Sequence, residues 1–263
     1  MYLLGLALGA YATLVGAVYL GQRRIMYPAP RIVSKPAVDD AALESIAVPG
    51  SPPTFGLHFK AGSGAPTVLH FHGNGEQLAD LIALGRAVRA RGLGFFAMEY
   101  PGYGLAGGSP SEAANYLAAE ATLSHLREQH GIATDDVVLQ GQSLGTGIAI
   151  EMAHRGYGRR LVLISPYTSM VAMGKLTLPI FPNEWLVHDR YLNAEKAPEV
   201  TQPALVIHGT DDEVIPAHMG QRIAELLPNA RWLSVAGGRH NDLFVIQGQK
   251  LLDTICTFAR AAE

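Results

Sequence analysis

The chain has 263 residues, a formal net charge of −3, 48% hydrophobic residues and only 16% charged ones. So apolar a composition excludes a disordered chain and leaves room for an apolar element beside a globular body. Lys and Arg are scattered on a slightly acidic balance, which excludes the basic footprint of nucleic-acid binding, and the single cysteine, Cys256, excludes an intramolecular disulfide and a thiolate metal cluster.

In chain order, residues 2–21 carry no charge and are rich in Leu, Ala, Val and Tyr, which is about the ~20 residues an α-helix needs to cross a bilayer core. No Lys or Arg precedes this run, and it is longer than the apolar core of a secretory signal, so residues 1–22 are read as a membrane anchor. Arg23 and Arg24 follow directly, with Arg31 and Lys35 beyond. The positive-inside tendency then predicts a single-pass protein with its body on the cytoplasmic side. Pro28, Pro30 and Pro36 make residues 23–39 an extended tether.

The catalytic body is expected over 40–263. Strand-like runs at 67–71, 95–100, 137–140, 161–164, 204–208 and 232–235 alternate with amphipathic stretches at 76–91, 112–130, 143–154 and 216–227 and a closing helix from Asn241. Such alternation predicts an α/β fold with a mostly parallel sheet and helices on both faces. Ligand sites in these folds lie beyond the carboxyl ends of the strands, so the residues after each strand carry the functional argument. Cys256, within the apolar stretch 251–258, reads as a core residue.

After the run at 137–140 stands Gly141-Gln142-Ser143-Leu144-Gly145, leading into a helical stretch. This is the strand–turn–helix context of a nucleophile elbow, in which the flanking glycines leave room for a sharp turn that lifts the serine above the sheet edge. A serine hydroxyl is a weak nucleophile at neutral pH, so it needs a base and the base needs an orienting partner. Asp211, Asp212 and Glu213 stand at the end of the run at 204–208, and one of them is the expected orienter. His240, after the last strand and the Gly237-Gly238 pair, fits the base. The strand at 67–71 runs into His72-Gly73-Asn74-Gly75, so the backbone N–H groups of Asn74 and Leu144 are the expected oxyanion donors.

The other histidines weigh less. His70 and His72, at alternate strand positions, suggest a metal pair, but without carboxylate or cysteine ligands near them no metal is assigned. His208 reads as a core or supporting residue, and His58, His125, His130, His154, His188 and His218 as surface or helix-packing residues. The turn from Glu99 to Gly104 is read as structural. Residues 166–191 are too few for a large cap domain. They make a candidate small lid in which Met170, Met173, Leu178, Phe181 and Trp185 line an acyl pocket, against the alternative that these side chains only pack helices over the sheet.

Taken together, His72-Gly73-Asn74, Tyr100-Pro101-Gly102-Tyr103-Gly104, the Ser143 pentapeptide with Thr146-Gly147, Ser165-Pro166-Tyr167-Thr168-Ser169, His208-Gly209-Thr210-Asp211-Asp212 and His240-Asn241-Asp242 resemble serine hydrolases of the α/β-hydrolase fold. In particular they resemble the subgroup with an N-terminal membrane anchor, which includes eukaryotic enzymes that remove fatty acyl groups from protein cysteines. The resemblance spans nearly the whole body. It implies Ser143 as nucleophile, Asp212 as orienter with Asp211 in reserve, and His240 as base, in the chain order the fold uses. Glu99, where many relatives carry aspartate, departs from the pattern at a structural contact. A serine at the elbow argues against the dehalogenase and epoxide-hydrolase branches. The expected activity is cleavage of carboxylic esters or thioesters, of small-molecule or lipid-like acyl substrates near a membrane, through an acyl-enzyme and without a cofactor. The alternatives are a serine peptidase of the same fold and an inactive, membrane-anchored binding module.

Overall fold

The computed structural model describes residues 2–62 and 64–261. Eight strands form one sheet: β1 (Ala42–Ile46), β2 (Thr54–Phe59), β3 (Thr67–Phe71), β4 (Gly94–Met98), β5 (Val137–Gln142), β6 (Arg160–Ile164), β7 (Ala204–Gly209) and β8 (Ala230–Val235), in spatial order β1-β2-β4-β3-β5-β6-β7-β8. The β1–β2 and β2–β4 pairings are antiparallel and all others parallel. This is the α/β-hydrolase architecture, mostly parallel as the alternating runs predict. The β1–β2 hairpin adds an antiparallel edge that the apolar pattern does not announce.

Strands β3, β4, β6 and β7 are buried at every position, because helices cover both faces. Alternate side chains serve opposite cores. Leu69, Phe96, Leu139 and Leu163 face α3 (Glu112–His130), α4 (Gly145–His154) and α8 (Ala217–Leu226), while Val68, Phe95, Val138 and Val162 face α2 (Ile82–Arg89) and α9 (Leu243–Arg260). Cys256 is fully buried in the second core. Ser111 caps α3 by accepting from the Ala114 N–H, and Gly131 ends it in the left-handed conformation.

The N-terminal apolar run forms α1 (Tyr2–Met26), the one helix among the described residues long and apolar enough to cross a membrane. Membrane anchors and signal segments share that signature. The helix runs through Arg23 and Arg24 and stops before Pro28. From Tyr11 onward it lies along the segment that contains α5 (Met170–Thr177) and α6 (Asn183–Leu186). The Tyr11 hydroxyl donates to the Ile180 carbonyl at 2.6 Å, and the Gln22 side chain donates to Leu186 O and accepts from His188 N–H. The Arg23 guanidinium pairs with the buried Asp189 at 3.0 Å, and the hydroxyls of Tyr27 and Tyr191 meet at 3.1 Å. Leu3, Leu4, Leu6, Leu8, Leu14 and Leu20 remain exposed on this helix.

Candidate active site

Parallel strands end on one edge of the sheet, and the turn after β5 leads directly into α4. Ser143 adopts φ 51°, in the left-handed region that costs a non-glycine residue energy, while its N–H donates to Ile164 O at 2.9 Å. The turn is so tight that a Cβ on Gly141 would stand 2.4 Å from Gly145 O, and one on Gly145 would stand 2.0 Å from Phe71 O. Only glycine at both positions lets β5 reverse into α4 against the end of β3.

His240 and Asp212 reach Ser143 from two other loops. The Ser143 hydroxyl lies 3.0 Å from His240 Nε2, and His240 Nδ1 lies 2.8 Å from Asp212 Oδ2. A carboxylate only accepts, so Nδ1 carries the proton and Nε2 is free to accept from the serine hydroxyl. Asp212 is buried, and its Oδ1 accepts from the N–H groups of Val214 at 2.9 Å and Ile215 at 2.7 Å. His208 Nε2 donates to Ile215 O at 2.8 Å and stands 3.2 Å from Asp212 Oδ2. Burial by itself would raise the carboxyl pKa of Asp212; the hydrogen bonds from His208, His240 and the Ile215 N–H outweigh it and hold the group far below the usual carboxylate range. Asp211 is exposed and accepts from the Thr210 hydroxyl, and the exposed Glu213 accepts from the His240 N–H at 3.4 Å.

The loop after β3 closes over the serine. Gly73 lies so near that a Cβ there would be 4.0 Å from Ser143 Cβ. The loop is pinned from below. The Tyr100 hydroxyl donates to His72 O at 2.6 Å, the Tyr103 hydroxyl to Asn74 O at 2.9 Å, and the Gly73 N–H to Glu76 Oε2 at 2.7 Å. With their carbonyls and neighbours engaged, the N–H groups of Asn74 and Leu144 are left without a protein partner among the described residues. Leu144 also caps the start of α4, where the helix dipole favours negative charge.

A sequence model of the family described as serine aminopeptidase, S33, matches residues 63–188, and one described as alpha/beta hydrolase fold matches residues 182–245. An uncharacterised protein of Mycobacterium tuberculosis is 33% identical over 202 residues, covering 76% of this chain and 72% of that protein. The chain belongs to the α/β-hydrolase family.

Among its relatives in that family is human alpha/beta hydrolase domain-containing protein 17C, 34% identical over 184 residues. The match covers 67% of this chain and 53% of the human protein, so it spans about half of that relative's length. An esterase of Pyrococcus furiosus superposes with a TM-score of 0.72 at 16% identity, over 88% of this chain and 97% of that one, a likeness of fold.

Around this α/β-hydrolase site the remaining sequence expectations divide. Met170, Met173, Leu178 and Phe181 line an apolar cavity of about 120 Å³, and the opposite wall comes from Val18, Ile25 and Met26 of α1. Trp185 instead projects outward, 86% exposed, because α6 turns it away from α1. Asn74 Nδ2 donates to Met26 O at 3.4 Å, so the loop over the serine and the end of α1 share a contact. His70 is fully buried against Phe95 with no hydrogen-bond partner among the described residues, and burial pushes its pKa down to about 3. His72 Nδ1 donates to Gly73 O at 2.7 Å while its Nε2 stands 3.3 Å from the buried Glu99. Glu99 Oε2 accepts from the Leu78 N–H at 3.3 Å, just beyond the loop. Sequence reasoning missed a further feature: His58 is buried and shares Glu44 with His125 and His130, three residues read as unrelated surface or packing positions.

Proposed function

We propose that this α/β-hydrolase is a serine hydrolase that cleaves carboxylic esters or thioesters of acyl substrates close to a membrane. The observation that carries the reading is the Ser143–His240–Asp212 chain of contacts at 3.0 and 2.8 Å, at the end of β5 and beneath two unengaged backbone donors. Ser143 Oγ attacks the acyl carbonyl as its proton passes to His240 Nε2, and the N–H groups of Asn74 and Leu144 stabilise the developing oxyanion. The imidazolium, stabilised by Asp212, returns the proton to the departing alcohol or thiol as its bond to the acyl carbon breaks. Water, deprotonated by His240, then releases the acid and restores the serine.

The preference for acyl chains is supported by the cavity between α1 and the α5–α6 segment, whose lining is mostly apolar. On this reading residues 1–22 anchor the protein, 23–39 connect, 40–263 catalyse and 166–191 serve as the lid, with the body on the cytoplasmic side. Leu176, Ile180 and Trp185, exposed beside the apolar helix, suit a lid that faces lipid. The description of the matching family model as a serine aminopeptidase favours a second reading, hydrolysis of aminoacyl amides by the same serine.

The purified full-length protein and its Ser143→Ala variant, assayed on p-nitrophenyl esters and thioesters of increasing chain length and on aminoacyl p-nitroanilides, test these readings. Serine-dependent turnover that rises beyond acetyl supports the proposal. Turnover of the anilides alone supports the peptidase, and turnover of neither class supports a binding module.

A further inference from the structure

On the face of α3 that packs over the sheet edge, three imidazoles converge on one carboxylate. Glu44 stands on β1, His58 on the neighbouring β2, His125 in α3 and His130 at its last position. Glu44 Oε1 lies 3.0 Å from His58 Nδ1, and Glu44 Oε2 lies 2.7 Å from both His125 Nε2 and His130 Nε2. The ligand atoms of Glu44, His58 and His130 all fall within 4.8 Å of one another. The rings of His58 and His130 meet edge to face at 4.5 Å, and those of His125 and His130 at 5.5 Å, so each ring is held by its neighbours with a nitrogen turned inward. His58 is buried, and the other three side chains are 14–17% exposed.

We propose that Glu44, His58 and His130, completed by His125, bind one divalent transition-metal ion of the Zn²⁺ class. Three imidazoles and a carboxylate are the nitrogen and oxygen donors such an ion takes in tetrahedral sites. Bonds of about 2.1 Å would set tetrahedral donors about 3.4 Å apart, so the 2.7–3.0 Å contacts to Glu44 open by roughly half an ångström, while the nitrogens of His58 and His130 close to that spacing and His125 moves in from outside the Glu44–His58–His130 group. No net proton is lost from neutral rings: each imidazole gives the ion its inner nitrogen and carries its proton on the outer one. For His125 and His130 the outer nitrogen belongs to a partly exposed ring. For His58 that nitrogen, Nε2, has no partner among the described residues, so neither tautomer satisfies it. A cleft of about 410 Å³ bounded by His58, His130, Lys60, Thr67 and Asp136 provides an entry path.

Thr67 opens β3 and Asp136 precedes β5, so this cleft lies at the sheet edge opposite the one where Ser143 follows β5. An ion here acts as a clasp between the β1–β2 hairpin and the end of α3, not as a participant at the serine.

The test uses the full-length protein in detergent, freed of metal by chelation and then dialysed against Zn²⁺, with Co²⁺ as a spectroscopic probe. Wild type and a variant with surface His154→Gln should each take up one Zn²⁺ per chain, melt at a higher temperature with the ion, and give the visible absorption of tetrahedral Co²⁺. The Glu44→Gln/His130→Gln double variant should lose the Co²⁺ bands and lose affinity by more than the roughly 10–100-fold that removing an outer partner of a ligand costs. A second variant, His125→Gln/His130→Gln, alters only partly exposed positions and guards against misfolding. Circular dichroism and Ser143-dependent turnover, unchanged in both, show that the fold is intact. Equal Zn²⁺ uptake by wild type and both variants, or no uptake and no shift in melting by wild type, overturns the proposal and leaves a clasp held by hydrogen bonds alone.

Discussion

Replacing Asp212 by Asn keeps the side chain's shape and an oxygen able to accept from the Val214 and Ile215 N–H groups, but removes the charge 2.8 Å from His240 Nδ1. On the proposed mechanism that charge matters only once His240 has taken the serine proton. With charge centres about 4 Å apart and an effective dielectric constant of about 20, the lost stabilisation is about 4 kcal/mol, or roughly 10³ in kcat. The amide can also present an N–H to Nδ1 and favour the tautomer that cannot accept from Ser143, which pushes the loss toward ~10⁴. The assay is steady-state hydrolysis of a p-nitrophenyl ester by both proteins over a range of pH, with thermal melting to confirm folding. The loss should fall on kcat with KM nearly unchanged, since no substrate contact is removed. A folded Asp212→Asn protein with kcat within tenfold of wild type at every pH would refute the argument, because the carboxylate would then not be stabilising the imidazolium.

Other consequences follow from the same geometry. Gly145→Ala sets a Cβ 2.0 Å from Phe71 O, backbone that cannot yield, so the variant should unfold at a clearly lower urea concentration and lose turnover; wild-type stability would contradict the close approach. Met173→Trp narrows the cavity between α1 and the α5–α6 segment and, if that cavity holds the acyl chain, should shorten the preferred chain while leaving kcat on acetyl esters within a few-fold, read from the chain-length series. Burial alone would raise the Glu44 carboxyl pKa, but hydrogen bonds from His125, His130 and His58 hold it down at about 2. A folded value below the usual 4.5 gives stability that is fully present above about pH 4.5 and lost as the pH falls toward 2. Urea midpoints of Glu44→Gln measured against pH in metal-free buffer should lack that acid limb, and parallel curves for variant and wild type would show that Glu44 does not supply it.

What the sequence made legible was local. The Ser143 pentapeptide sits between a strand and a helix contiguous with it, and α3 keeps its predicted bounds because Ser111 and Gly131 mark its ends in the chain itself. The meeting of Ser143 with His240, 97 residues away, was reachable because both follow strands of one parallel sheet. The β1–β2 hairpin escaped because β1 is half exposed and mixes Glu44 and Ser45 among its apolar residues, which blurs the period-two pattern. The histidine cluster then had no visible partner: His125 and His130 meet Glu44 across 81 and 86 residues, through a strand that the pattern did not predict. Trp185 reads as a pocket residue by composition alone, and only the path of α6 decides that it points outward.

The most direct measurement is covalent trapping with a fluorophosphonate, followed by intact mass and peptide mapping of the full-length protein. The account predicts a single phosphonyl adduct on Ser143, its rate collapsing in His240→Ala and absent in Ser143→Ala, in step with the loss of ester turnover. An adduct on another residue, or hydrolysis that persists in the Ser143→Ala protein, would contradict it.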